Sequence, residues 1–197
     1  FKKLKNFSEK ISNNLIKTKH QSDNKLKHVL FSEFNTFDYR KFLSKNDVPF
    51  IIYNRRQPAY WNKETFSLIK NSNLILENEN TLSSSTLTKK ANEESSLLEK
   101  NIEKMFLHNP IFSQIFDTNK FSFWDAIKEN FLQLFKIRIH ENIYEIELVK
   151  KLLQKYNFSS IIINNNVGPH EQILSQLGKH FDIQIILQMY LRNCNQL

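Results

Sequence analysis

The sequence predicts an α/β fold, a Rossmann-like parallel sheet with helices on both faces and a helical insertion. Apolar runs of strand length, such as VPFIIY at 48–53, have the continuous hydrophobicity of a parallel strand buried on both faces. Amphipathic helical patterns alternate with these runs in the first and last parts of the chain, as they do in βαβ units. The middle of the chain carries helical spacing alone, and we therefore interpret it as an insertion.

Length and composition exclude several classes of protein. With 197 residues, 40% of them hydrophobic, the chain can bury one proper core and is not disordered throughout. No window approaches the ~18 consecutive apolar residues of a membrane-spanning helix. Cys194 is the only cysteine, which excludes a disulfide framework and a zinc site built from several thiolates. The net charge of +8 accompanies heavy use of Lys, Asn, Ile and Phe, as in AT-rich genomes, so it is weak evidence for an anionic partner.

Composition and periodicity divide the chain into five segments. Residues 1–27 form a basic amphipathic helix, which we interpret as docked on the body, with a membrane surface as the alternative. Residues 28–77 are the first part of the Rossmann-like domain, 78–95 a polar linker, 96–157 the helical insertion, and 158–197 the second part of the domain. Strands are predicted at 28–34, 48–53, 73–76, 159–164 and 183–187, and helices near 37–44, 63–70 and 169–181, with three more starting near 96, 122 and 141.

Two loops follow predicted strands, at the sheet edge where ligands of open parallel sheets bind. The first loop continues VPFIIY with Arg55 and Arg56, whose guanidinium groups can present paired donors to a phosphate or carboxylate. Tyr60 and Trp61 add flat apolar surface nearby. The alternative interpretation is structural: an arginine pairs with the next helix and the aromatic rings pack under the loop.

The second loop is NNNVGPHE at 164–171. Gly168 allows a turn or a close backbone approach, and Pro169 suits a first helical turn, where its missing N–H costs nothing. The exposed N–H groups of such a turn favour an anion. His170 has a side chain suited to a general acid or base, and Glu171 can orient it or bind a hydroxyl. The alternative is a surface histidine beside ordinary capping electrostatics.

Other histidines and motifs add little. His140 has no spaced partner for a metal, and His180 lies near a predicted helix end, so we predict no metal site. The sequence lacks G-x-x-x-x-G-K-[ST] and G-x-G-x-x-G, which disfavours nucleoside triphosphatases and dinucleotide oxidoreductases. It also lacks G-x-S-x-G, which disfavours an α/β-hydrolase.

Two segments of the chain resemble a known group of proteins. NDVPFIIYNRRQPAYWNKETFSLIKNSN and SSIIINNNVGPHEQILSQLGKHFDIQIILQ are similar to sugar-transferring proteins of surface polysaccharide biosynthesis. That group contains GT-B glycosyltransferases and UDP-N-acetylglucosamine 2-epimerase-like proteins. The resemblance implies two Rossmann-like domains with a nucleotide-sugar cleft between them, of which this chain corresponds to the N-terminal one. A His-Gly pair is expected after the last strand, but Met189 follows Gln188 here, so we expect a truncated piece that is inactive alone.

The resemblance also implies roles for the two loops. Arg55 and Arg56 would hold an anionic group of the donor or acceptor, together with Asn165. His170 would transfer a proton, Glu171 would orient it, and Gly168 would let the substrate approach the helix. No cofactor or metal is implied, because this fold commonly uses helix dipoles and basic side chains to support the leaving diphosphate.

The partners implied are a nucleotide-sugar donor, a glycan acceptor and the missing C-terminal domain, with peripheral membrane contact as an option and no nucleic acid. We expect the cytoplasm, or its membrane face, because the first residues lack the apolar stretch of a signal peptide. Two alternatives stay open: a sugar epimerase on the same scaffold, and a non-catalytic basic module that binds nucleic acid or anionic lipid.

Overall fold

A computed structural model of the chain describes residues 26–33, 49–56, 58–60, 62–72, 74–118 and 121–188. The predicted N-terminal helix, the helix near 37–44, Trp61 and the segment after Gln188 lie outside the described residues. The elements are, in chain order, β1 (His28–Ser32), β2 (Phe50–Tyr53), α1 (Lys63–Asn71), β3 (Ile75–Glu77), α2 (Glu79–Leu82), α3 (Ser85–His108), α4 (Pro110–Phe116), β4 (Asp117–Thr118), β5 (Phe121–Ser122), α5 (Trp124–Lys155), β6 (Phe158–Ile163), α6 (Pro169–His180) and β7 (Gln184–Leu187).

The fold class is confirmed, since five strands form one parallel sheet in the order β3-β2-β1-β6-β7. From β1 the chain moves outward on one side to β2 and β3. It later returns to the other side of β1 as β6 and then β7. The strand order therefore reverses between β1 and β6, which is the place where doubly wound sheets bind ligands.

The chain divides into two compact units. Unit 1 comprises residues 1–83 and 148–197 and contains the parallel sheet. Unit 2 comprises residues 84–147 and contains α3, α4, the β4-β5 hairpin and most of α5. In the described part of the chain, no helix combines the length and the apolar character needed to cross a membrane.

Helices cover both faces of the sheet in unit 1. On one face, Ile69 of α1 packs in a cluster with Phe31, Phe50 and Ile52. On the other face, α6 approaches β6 and β7 so closely at Gly178 that a Cβ there would lie 2.8 Å from Ile161 Cδ1. All four side chains of β2 are buried, as the continuous apolar run predicts. The burial of both faces leaves the strand ends as the polar rim of the sheet.

The predicted polar linker at 78–95 is not a loop, because α2 and the first half of α3 occupy it. The helix α3 begins after Ser84, whose hydroxyl oxygen accepts a hydrogen bond from the N–H of Leu87 at 3.2 Å. Its buried positions include Leu87, Ala91 and Ser95, spaced by four residues. Because Ala91 and Ser95 are small and weakly apolar, the buried face of α3 does not stand out in the sequence as a hydrophobic repeat.

Of the three helix starts predicted within the insertion, the one near 122 is confirmed by α5, which begins at Trp124, and the ones near 96 and 141 are wrong. Ser96 lies inside α3, and a single 32-residue helix, α5, replaces the two predicted near 122 and 141. Aromatic side chains form the core of unit 2, where Phe106 and Trp124 are buried and their rings lie 5.7 Å apart. Further rings surround them, namely Phe112, Phe116, Phe131 and Phe135.

Candidate functional site

Glu33 joins the ends of the three central strands of unit 1. It follows β1 directly and has a positive φ of 55°, a backbone conformation that is uncommon for a residue other than glycine. Its N–H donates to the carbonyl oxygen of Tyr53 at the end of β2, at 3.2 Å. Its own carbonyl oxygen accepts from Asn164 Nδ2 after β6, at 3.3 Å. The left-handed turn is thus held from both neighbouring strands.

The carboxylate of Glu33 orders the arginine loop. Its Oε1 accepts hydrogen bonds from the backbone N–H groups of Arg55 and Arg56, the latter at 2.8 Å. The side chain of Glu33 is buried, so these charge-assisted hydrogen bonds form away from bulk water. The direction in which the loop after β2 leaves the sheet is therefore set by a residue after β1.

The two arginines find different partners. Arg55 pairs with Glu79 at the start of α2, and Arg56 pairs with Glu171 in the first turn of α6. The Arg56 side chain remains 56% exposed, whereas that of Glu171 is 2% exposed. Arg55 therefore forms an ion pair within the protein, as the structural interpretation expects, but its partner lies at the start of α2 and not in the next helix, α1. Arg56 instead joins the loop after β2 to the loop after β6, so the two predicted loops lie together at one edge of the sheet. We call this edge the crevice, after the place where doubly wound sheets bind their ligands.

The side chain of His170 lies at the same edge of the sheet, beside the ends of β1 and β2. Its Nε2 shares a hydrogen bond of 2.9 Å with Oγ of Ser32, the last residue of β1. The imidazole ring lies 5.3 Å from the ring of Tyr53, centre to centre. His170 is buried, so the alternative interpretation of a surface histidine is wrong. The imidazole is fixed by β1 and β2, as a side chain that transfers a proton in a defined direction requires.

Gly168 makes room for a side chain of this protein. Its φ of −77° is accessible to any residue, so the glycine is not required by the backbone. A Cβ at this position would collide with Glu171 Oε2 and lie 3.6 Å from a terminal nitrogen of Arg56. The close approach expected at Gly168 is therefore made by the Glu171–Arg56 pair, which lies over the start of α6.

Asn164 Oδ1 and Glu171 Oε2 are buried oxygens of the crevice that have no hydrogen-bond partner among the described residues. Each belongs to a side chain whose other polar atom is engaged, Asn164 Nδ2 by Glu33 and Glu171 Oε1 by Arg56. Both oxygens are acceptors. Buried acceptors are nearly always satisfied in folded proteins, so exceptions mark places where a ligand can donate.

Other predicted site residues lie elsewhere or act locally. Asn165 is exposed, and its side-chain oxygen accepts from the N–H of Val167 at 3.2 Å, which shapes the loop. The ring of Tyr60 packs edge-on against Phe66. His140 contacts Ser95 at 3.3 Å in unit 2, and His180 is the last residue of α6. No group of three or more His, Cys, Asp or Glu side chains suited to a metal occurs in the described ranges.

Ser32, Glu33 and Asn164 belong to the site although the sequence patterns do not single them out. A usable signal exists for the first two, because Ser-Glu directly follows the apolar run HVLF and therefore lies at a strand end. The family and structural comparisons add no identification: no family model, curated protein or solved structure matches the chain.

Proposed function

We propose that this chain is the half of a sugar-transferring enzyme that binds a nucleotide-activated sugar and its acceptor at the crevice between β1 and β6. The observation that carries the proposal is the Arg56–Glu171 pair, which brings the two polar loops together beside the buried His170. The crevice therefore combines a cation, a carboxylate and a titratable imidazole at the position where ligands bind in such sheets.

These groups suit the transfer of a sugar. The acceptor hydroxyl attacks the anomeric carbon and forms a new C–O bond, while the bond from that carbon to the diphosphate oxygen breaks. His170 accepts the proton of the hydroxyl, and the diphosphate leaves with the bonding electron pair. The exposed edge of Arg56 is available to stabilise the negative charge of the leaving group. In this scheme the Ser32–His170 hydrogen bond fixes the imidazole orientation.

Binding of UDP-N-acetylglucosamine to the full chain, measured by calorimetry, tests the proposal. Arg56→Gln is expected to lower the affinity at least about tenfold, the loss of one charge-assisted contact. Arg138→Gln is the matched control, since it removes the same charge from an exposed arginine that pairs only locally with Glu141 in what the structure describes. If both variants lose the same affinity, and if moderate salt abolishes binding by all three proteins, the result would instead support a basic binding module.

A sugar epimerase is the second candidate, favoured by the two buried carboxylates, Glu33 and Glu171, near a buried histidine. An epimerase moves a proton within one nucleotide sugar, whereas a transferase consumes an acceptor. Proton NMR of UDP-N-acetylglucosamine incubated with the protein separates them. Formation of an epimer without acceptor would replace the transferase proposal.

A further inference from the structure

The N-terminus of α6 carries a carboxylate of its own. Glu171 is the third residue of this 12-residue helix, and Gly168, the residue before it begins, makes no side-chain capping bond. The Glu171 carboxylate folds back over Gly168, where an added Cβ would strike Oε2. A negative charge at this place is stabilised by the helix dipole and by Arg56. The position that a bound phosphate takes at other helix N-termini is thus held by a side chain.

The charge balance of the crevice also disfavours phosphate at this helix start. Two buried carboxylates, Glu33 and Glu171, lie near the single guanidinium of Arg56, which pairs with one and lies 4.0 Å from the other. A phosphate at the first turn of α6 would face both carboxylates at short range, where like charges repel strongly. The ligand atoms that contact this turn are therefore uncharged or positive.

The unpartnered atoms specify the ligand further. Glu171 Oε2 and Asn164 Oδ1 are buried acceptors without partners in the described part of the chain. They call for O–H or N–H donors. A metal ion would require more acidic or imidazole ligands, and no such group of three occurs among the described residues. Neutral hydroxyl groups fit both the atoms and the charge.

From these observations we infer a hydroxyl-recognition subsite at the start of α6, in which Glu171 Oε2 and Asn164 Oδ1 accept hydrogen bonds from hydroxyl groups of a sugar ring and phosphate is excluded. This inference rests on the proposed function, which supplies the statement that the sugar belongs to a nucleotide sugar or to its acceptor. It reverses the anion preference that the sequence alone suggests for this turn. It also assigns Gly168 a role, which is to leave space for the carboxylate.

Glu171→Gln tests the subsite with two probes applied to the full chain. The amide keeps the side-chain size and an oxygen for Arg56, but it removes the charge and places an N–H₂ donor in the crevice. We expect the affinity for UDP-N-acetylglucosamine to fall about tenfold, as for loss of a charged hydrogen bond. We also expect inorganic phosphate to shift the backbone amide NMR signals of residues 170–172 in the variant and not in the wild-type protein.

Two further variants make the test specific. Glu79→Gln removes a carboxylate at the start of α2 that pairs with Arg55. It should therefore leave the affinity for UDP-N-acetylglucosamine and the response to phosphate unchanged. Gly168→Ala should displace the Glu171 carboxylate without removing its charge. It should therefore weaken sugar binding as Glu171→Gln does, and still bind no phosphate at residues 170–172.

The outcomes separate the subsite from the proposed function. If UDP-N-acetylglucosamine binds the wild-type protein and Glu171→Gln does not weaken it, the subsite is wrong and the function stands. If only methyl N-acetylglucosaminide binds, in a manner that depends on Glu171, the subsite stands and the nucleotide-sugar function is wrong. If neither sugar binds, or if phosphate shifts residues 170–172 of the wild-type protein, the subsite is overturned.

Discussion

Glu33 illustrates how one side chain can position a whole crevice. It lies in the left-handed region after β1, and its buried carboxylate accepts from the backbone N–H groups of Arg55 and Arg56. Without it, the loop after β2 would lose the contacts that direct Arg56 towards Glu171. The strain of the turn and the burial of a charge are offset by these hydrogen bonds.

Glu33→Ala is therefore expected to lower the free energy of unfolding by about 2–4 kcal/mol, because two hydrogen bonds to a charged group are lost. Glu33→Gln, which keeps one acceptor oxygen, should cost about half as much. Urea denaturation followed by circular dichroism measures both values. A stability of the alanine variant within about 0.5 kcal/mol of wild type would show that the carboxylate does not hold the loop.

Tyr156 gives a prediction about pH. Burial, the charge of Glu77 and a hydrogen bond donated to Glu77 Oε1 raise the pKa of Tyr156 well above its ordinary value of 10.0. Below pH 10 the hydroxyl keeps its proton in both the folded and the unfolded chain. Above pH 10 the Tyr156 hydroxyl loses its proton in the unfolded chain before it does so in the folded chain. The stability contributed by the protonated hydroxyl therefore falls as the pH rises.

We expect Tyr156→Phe to make the loss of stability above about pH 10 shallower, by up to about 1.4 kcal/mol per pH unit, the effect of one proton. At neutral pH the same variant should be less stable than wild type, because Glu77 loses a donor. Urea titrations at several pH values measure both effects. Identical slopes for the two proteins would place the Tyr156 hydroxyl outside the alkaline transition.

The residues of the crevice differ in how well the sequence predicts them. Arg56, Gly168, His170 and Glu171 belong to short polar loops directly after apolar strands, and position alone selects them. The position of Glu33 at a strand end can be read from the sequence, but its role could not be assigned, because that role depends on contact with a loop 22 residues further along the chain. The pairing of Arg56 with Glu171 spans 115 residues and follows only from the strand order.

At the scale of elements, the same physical rules explain both the correct and the wrong predictions. Strands β2 and β6 are continuous apolar or β-branched runs and are found within one or two residues of their predicted bounds. Helix α5 continues through residues 124–155 because no Gly or Pro occurs there to end it. Helix α3 was hidden, since Ala91 and Ser95 occupy its buried stripe.

The packing of α6 on the sheet can be tested at Gly178. A Cβ there would lie 2.6 Å from Ile185 Cδ1 and 2.8 Å from Ile161 Cδ1. Gly178→Ala should therefore lower stability by about 1 kcal/mol, because the cost of overpacking exceeds the gain in helix propensity.

Ile161→Val removes one of the two methyl groups, so it should restore part of the stability in the double variant. Thermal unfolding of the wild type, both single variants and the double variant measures the coupling. Strictly additive effects would contradict the close contact between α6 and β6.

At the scale of the whole molecule, the reversal of strand order explains why chemistry collects at one place. Sequence patterns predict parallel strands, and parallel strands share one edge for their carboxyl ends. They do not say which strands are neighbours. The structure places β1 between β2 and β6, so the rim carries, in spatial order, Asn54, then Ser32 and Glu33, then Asn164.

The central claim, that this rim binds a nucleotide sugar, is tested most directly by mapping UDP-N-acetylglucosamine onto the isotope-labelled full chain by NMR. We expect the largest amide shifts to fall at residues 32–33, 54–56 and 164–171 and to saturate together. Shifts that concentrate in residues 84–147, or that disappear with added salt without saturating, would contradict it.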